Sequence, residues 1–112
     1  MNERVTREEV AQILRGIAAG DVNVEVQGET WDETFAGDVA FNLSSGHHIV
    51  IFNDCDDFDY VDSVILADGR CGDFDDWKGD VEHLNDSNPC DLITADEQRR
   101  CHEIFKRAGQ RA

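Results

Sequence analysis

Apolar residues recur along this chain with two different periods. Val10, Ile13, Leu14 and Ile17 fall at i, i+3, i+4 and i+7, which marks one face of a helix. Ahead of them stands Thr6-Arg7-Glu8-Glu9, a capping-box pattern in which a threonine and a glutamate satisfy each other's backbone N–H. Gly20 is placed to stop the helix, so the spacing predicts helix over 7–19. The period then falls to two. Val22, Val24 and Val26 alternate with polar residues, and Val39, Phe41 and Leu43 do so again. The stretch 47–52 is β-rich, and a further strand is expected over Tyr60–Leu66. Ser44-Ser45-Gly46 and Ala67-Asp68-Gly69-Arg70 are turn sequences, so 39–43 and 47–52 read as a hairpin. Trp31 and Phe35 lie in a less regular stretch and are expected to anchor it to the core.

Between Cys71 and Asn88 the pattern fades. Phe74, Trp77, Val81 and Leu84 are scattered among acids and glycines, which predicts a loop-rich excursion pinned by Phe74 and Trp77, with room for a short strand. Pro89 can open a short helical turn. Thr94-Ala95-Asp96-Glu97 repeats the capping box, Cys101, Ile104, Phe105 and Ala108 form a helical stripe, and Gly109 can end it. The expectation is one α+β domain over 1–112. It has an N-terminal helix, an antiparallel sheet of about four strands, a loop-rich acidic segment and a C-terminal helix, with the helices on one sheet face.

Charge changes the picture more than composition does. The chain has 25 acids against 10 Lys and Arg, a net charge of −15. The imbalance is concentrated in residues 21–96, where Arg70 and Lys78 are the only bases, while the last 16 residues are basic. Such a body repels nucleic acid and anionic lipid and attracts basic surfaces. No run of about 18 apolar residues occurs, so no membrane span is expected. The polar start Met1-Asn2-Glu3-Arg4 lacks a signal-peptide core, which predicts a cytoplasmic protein. Cys55, Cys71, Cys90 and Cys101 are then expected as reduced thiols, and their spacing contains no C-x-x-C zinc knuckle.

The densest acidic run is Asn53-Asp54-Cys55-Asp56-Asp57-Phe58-Asp59-Tyr60-Val61-Asp62. An EF-hand loop opening at Asp54 fails, because Phe58, Asp59 and Ile65 fall where an oxygen ligand, Gly and Glu are needed. A divalent-cation module without that motif stays open as an alternative reading, as does a small enzyme of unknown class. No residue is assigned as catalytic, metal-ligating or cofactor-binding. Cys55 lies between two aspartates, which suppress the thiolate, so a Cys-His pair with His47, His48, His83 or His102 has no support. Arg70 is expected to pair with an aspartate of the acidic run.

What remains is the acidic surface itself. Along an extended strand, side chains two apart share a face roughly 6.5–7 Å apart, so Asp54/Asp56 and Asp57/Asp59 would form rows of like charge. Rows of carboxylates can stand in for phosphates against a Lys/Arg-lined groove. The candidate partner-binding residues are Asp54, Asp56, Asp57, Asp59, Asp62, Asp73, Asp75, Asp76, Asp80 and Glu82. Phe58, Tyr60 and Trp77 offer aromatic anchors, with core packing expected to claim at least two of the three.

Several segments carry a resemblance. They are Thr6-Arg7-Glu8-Glu9-Val10 with Ile13-Leu14-Arg15, Gly37-Asp38-Val39, Asn53-Asp54-Cys55-Asp56, Asp59-Tyr60-Val61-Asp62 and Asp68-Gly69-Arg70. On these the chain resembles a small, uncharacterised, pseudomonad-type proteobacterial domain family of unknown function. The resemblance implies a compact bacterial cytosolic domain and assigns no catalytic residue. It also implies that Asp54, Asp56, Asp59 and Asp62 partly shape a loop, leaving the acids at 73, 75, 76, 80 and 82 as the more individual ones. The expected function is a non-enzymatic acidic inhibitor of a basic, nucleic-acid-handling protein. It would be either a phage-encoded anti-defence protein of anti-CRISPR type or an immunity protein against a nuclease toxin. Neither direct nucleic-acid binding nor membrane association is expected.

Overall fold

The computed structural model describes residues 5–34, 36–73, 77 and 89–108. Helix α1 (Arg7–Ala18) begins at the Thr6 capping box, in which Thr6 Oγ1 accepts from Glu9 N–H at 3.2 Å and Glu9 Oε1 accepts from Thr6 N–H at 3.0 Å. It ends in a Schellman motif: Gly20 has φ +80°, its N–H donates to Ile17 O, and Asp21 N–H donates to Gly16 O. Strands β1 (Val24–Gln27), β2 (Ala36–Leu43), β3 (His48–Asp54), β4 (Asp57–Ile65) and β5 (Cys71–Asp73) form one antiparallel sheet in chain order. A 3-10 turn at Pro89–Leu92 leads to helix α2 (Ala95–Ala108), which opens on the second capping box, Thr94 with Glu97.

The class is therefore α+β, with five strands rather than about four. The fifth is the short strand β5, three residues opposite Ser63–Ile65. It sits where the excursion begins and is too short to leave a periodic signal. Trp77 is buried and its Nε1–H donates to Val5 O at 3.0 Å, pinning the excursion to the start of the chain. Phe35, Phe74 and Gly109 lie outside the described residues.

Helices α1 and α2 lie on one sheet face. Val10, Leu14 and Ile17 of α1 and Cys101 and Phe105 of α2 share a core with Val39, Phe41, Ile49, Ile51, Val61 and Val64. On β3 the inward residues 49, 51 and 53 keep period two. On β4 their partners Val64, Val61 and Phe58 are three apart, because the register shifts twice between the strands. Asp59 and Asp62 are the extra residues at the two shifts. Each is a β-bulge, which adds a residue to one strand without disturbing the pairing beyond it.

The hairpin turns use two solutions. In β2–β3 and β4–β5, Leu43 and Leu66 accept from Gly46 and Gly69, at φ +95° in both. In β3–β4 the central residues are Cys55 (φ +52°) and Asp56 (φ +76°), the backbone sense of a type I′ turn built without glycine. Each non-glycine residue there costs about 1 kcal/mol or more, so something must hold the turn.

Candidate functional site

The residue that holds it is Asn53, fully buried and the one buried polar side chain among the described residues. Its Nδ2 donates to Trp31 O at 3.0 Å and Thr34 O at 2.7 Å, and its Oδ1 accepts from Asp56 N–H at 2.7 Å. Asn53 thereby stitches the 30–34 turn to the acidic hairpin. That turn is itself closed by Thr30 and Glu33, each accepting from the other's N–H. The same T-x-x-E signal stands in the sequence at 30–33, but no apolar periodicity follows it to announce an element.

Asp56 is drawn out of the acidic row. Trp31 Nε1–H donates to its Oδ1 at 2.8 Å, Lys106 Nζ donates to its Oδ2 at 3.1 Å, and His102 Nε2 lies 3.5 Å from Oδ1. The Lys106 bond, then the Trp31 bond, hold its carboxyl below the usual range. The Asp54/Asp56 row does not exist, because the left-handed turn at 55–56 aims Asp56 at α2. Sequence reasoning registered the basic C-terminal stretch without placing it against the acidic run. The opposite charge of the two segments was the signal for that contact.

Arg70 also departs from expectation. It does not reach the acidic run. Its Nη2 donates to Glu9 Oε2 at 2.7 Å and its Nε to Asp68 Oδ2 at 3.1 Å. It ties the β4–β5 turn to α1, at the opposite end of the sheet from Cys55–Asp56. Cys55 is exposed, with its thiol pushed up by partial desolvation and by the Asp54 and Asp57 carboxylates. Cys101 is buried and pushed up to about 12, chiefly by burial, and its Sγ–H donates to Leu14 O. Both shifts disfavour a thiolate nucleophile. Among the described residues, no three His, Cys, Asp or Glu groups stand where one metal ion could take them.

The remaining acids divide by partner. Asp96 is bound by Arg99 and Arg100, Glu103 by Arg99 and Glu97 by Arg15. Five of the aspartates that form no ion pair among the described residues fall into two groups. Asp54, Asp57 and Asp59 line an open concavity of about 430 Å³ beneath α2, together with Phe58, Gln98, Arg99 and His102. Burial, then Asp54 and Asp57, raise the Asp59 carboxyl. Asp38 and Asp62 lie on the sheet face opposite α1 and α2. Burial, then Asp62, raise the Asp38 carboxyl. Sequence reasoning missed Asp38 as a site candidate, since it stands alone in β2. Of the other candidates, Asp73 lies in β5 opposite Ser63, and Asp75, Asp76, Asp80 and Glu82 are outside the described residues.

These shifts set a pH signature. A carboxyl raised in the folded state contributes stability below its unfolded value, near 3.9, and loses it as pH rises through the folded value. Asp38→Asn is expected to stabilise at pH 7 by about 0.3 kcal/mol, the scale of exposed like-charge pairs. That gain should fade as pH falls through the folded value of Asp38 and be gone below the unfolded value, where the carboxyl is protonated in both states. Thermal melts of both proteins across this range check it, and a gain independent of pH would mean that charge is not the cause.

No described helix is long and apolar enough to cross a membrane. No curated protein and no solved structure matches the chain. A family model described as a domain of unknown function, DUF7693, matches residues 4–107, so the chain belongs to that family.

Proposed function

We propose that this domain is a non-enzymatic interaction protein that occupies the basic, nucleic-acid-handling surface of another protein and so inhibits it. The supporting observation is the division of its acids. Where the chain has a cation to spare, carboxylates are paired, while Asp54, Asp57 and Asp59 under α2, and Asp38 and Asp62 on the opposite sheet face, form no ion pair among the described residues. Asp38 and Asp59, raised by burial and then by neighbouring carboxylates, are relieved by a cation from outside. The net charge of −15 would steer such a partner and repel nucleic acid.

Two biological settings suit this activity. One is a phage-encoded antagonist of bacterial defence, of anti-CRISPR type. The other is an immunity protein that neutralises a nuclease toxin. Both place the protein in the bacterial cytoplasm, and a pseudomonad-type proteobacterial family with an Asn-Asp-Cys-Asp pattern belongs to the same reading. The test is capture of partners from a bacterial lysate on the immobilised protein. The captured partner should be basic, should elute as salt rises, and should be displaced by added DNA or RNA. Partners retained equally at low and high salt, and indifferent to nucleic acid, would refute the reading.

A further inference from the structure

The sheet face opposite α1 and α2 has an ordered composition. Asp38 on β2, Phe52 on β3 and Tyr60 on β4 stand in register, forming one row across three strands. The Phe52 and Tyr60 rings are stacked, with centroids 5.0 Å apart and planes inclined by 11°. The neighbouring row is Ala40, Val50 and Ser63, and Ile65 beyond it is 50% exposed. The second bulge inserts Asp62 between the two rows, and its carboxylate acts on Asp38. Burial, then Asp62, Asp38 and Asp59, push the Tyr60 hydroxyl above its ordinary range. An aromatic pair thus lies between carboxylates, bordered by small and aliphatic side chains.

Resting on the reading of this domain as an acidic interaction protein, we infer that this face seats an arginine side chain from a basic protein segment. Its guanidinium lies over the Phe52–Tyr60 rings, between the Asp38 and Asp62 carboxylates. Charge complementarity selects a cation, and the rings select which one. A guanidinium is planar, weakly hydrated, stacks on aromatic faces and offers five donors to flanking carboxylates. A lysine ammonium is compact and strongly hydrated, and gains less from the rings. Ala40, Val50 and Ile65 offer apolar contact to the methylene stem.

The experiment compares oligo-arginine and oligo-lysine peptides of equal length and charge, titrated into the full chain at low salt and followed by amide chemical shifts. The arginine peptide should bind about five- to tenfold tighter, with the largest shifts at Asp38, Phe52, Tyr60 and Asp62. Tyr60→Leu should bring arginine binding down to the lysine level while leaving lysine binding unchanged. Asp62→Asn, at the half-buried extra residue of a bulge, should weaken both and serves if Tyr60→Leu fails to fold. Equal affinities, with shifts centred on Asp54, Asp57 and Asp59, would overturn the arginine seat and leave the acidic-partner reading standing. Absence of binding by either peptide would overturn both.

Discussion

Phe105→Ala is expected to lower stability by about 4 kcal/mol, within the range for removing a buried phenylalanine. Phe105 is fully buried and stands at the centre of an aromatic cluster. Its ring centroid lies 4.7 Å from Phe41 and 6.1 Å from Trp31, and Phe58 meets it edge-on at 5.5 Å. The loss combines the buried area, the cavity and the ring pairs. Its consequence reaches further, because α2 is otherwise a charged helix whose only other fully buried residue is Cys101. Without Phe105 little holds α2 to the sheet, and the Lys106–Asp56 contact goes with it. Urea unfolding would show a lower midpoint, with a smaller m-value if α2 detaches before the rest. A loss below about 1 kcal/mol would mean that the helix is anchored elsewhere.

Asn53→Ala should cost about 3 kcal/mol, or roughly 10–15 °C in melting temperature for a domain of this size. The alanine removes three hydrogen bonds at once and leaves the Trp31 and Thr34 carbonyls and the Asp56 N–H short of partners. It also releases the left-handed turn at Cys55–Asp56. Asn53→Asp gives a sharper test. A carboxylate can still accept from Asp56 N–H but can donate to neither carbonyl, and it buries a charge. Asn53→Asp should therefore be worse than Asn53→Ala at neutral pH and recover as acid protonates it. Equal losses for the two variants at every pH would show that the amide donors contribute little.

The parts legible in the sequence are those set by neighbours along the chain. The capping boxes at Thr6/Glu9 and Thr94/Glu97 and the glycine turns at Gly46 and Gly69 depend on contacts within a few residues. Each was readable from spacing alone. The helices and four of the five strands followed from their periods. One feature was placed only loosely and two escaped. The pattern leaves room for a short strand from Cys71 on, but β5 is three residues long and sets no period of its own. The period-three spacing of Phe58, Val61 and Val64 matches neither template, because two bulges interrupt β4. The partners of Asp56 and Arg70 were settled by tertiary geometry, which brings residue 56 to residue 106 and residue 70 to residue 9. For the same reason, composition reveals the excess of acid but not which carboxylates are neutralised. That distinction rests on where ten cations land, and the sequence orders them only along the chain.

The bulges in β4 also bear on how this surface can vary. In a regular strand each added residue turns every later side chain to the opposite face, so surface charge and core packing change together. Here Asp59 and Asp62 are supernumerary to the ladder. Their identities can drift with little effect on Phe58, Val61 or Val64, which remain in phase with β3. Homologues could exchange these two carboxylates for other polar groups, retuning what the sheet recognises while inheriting the same interior.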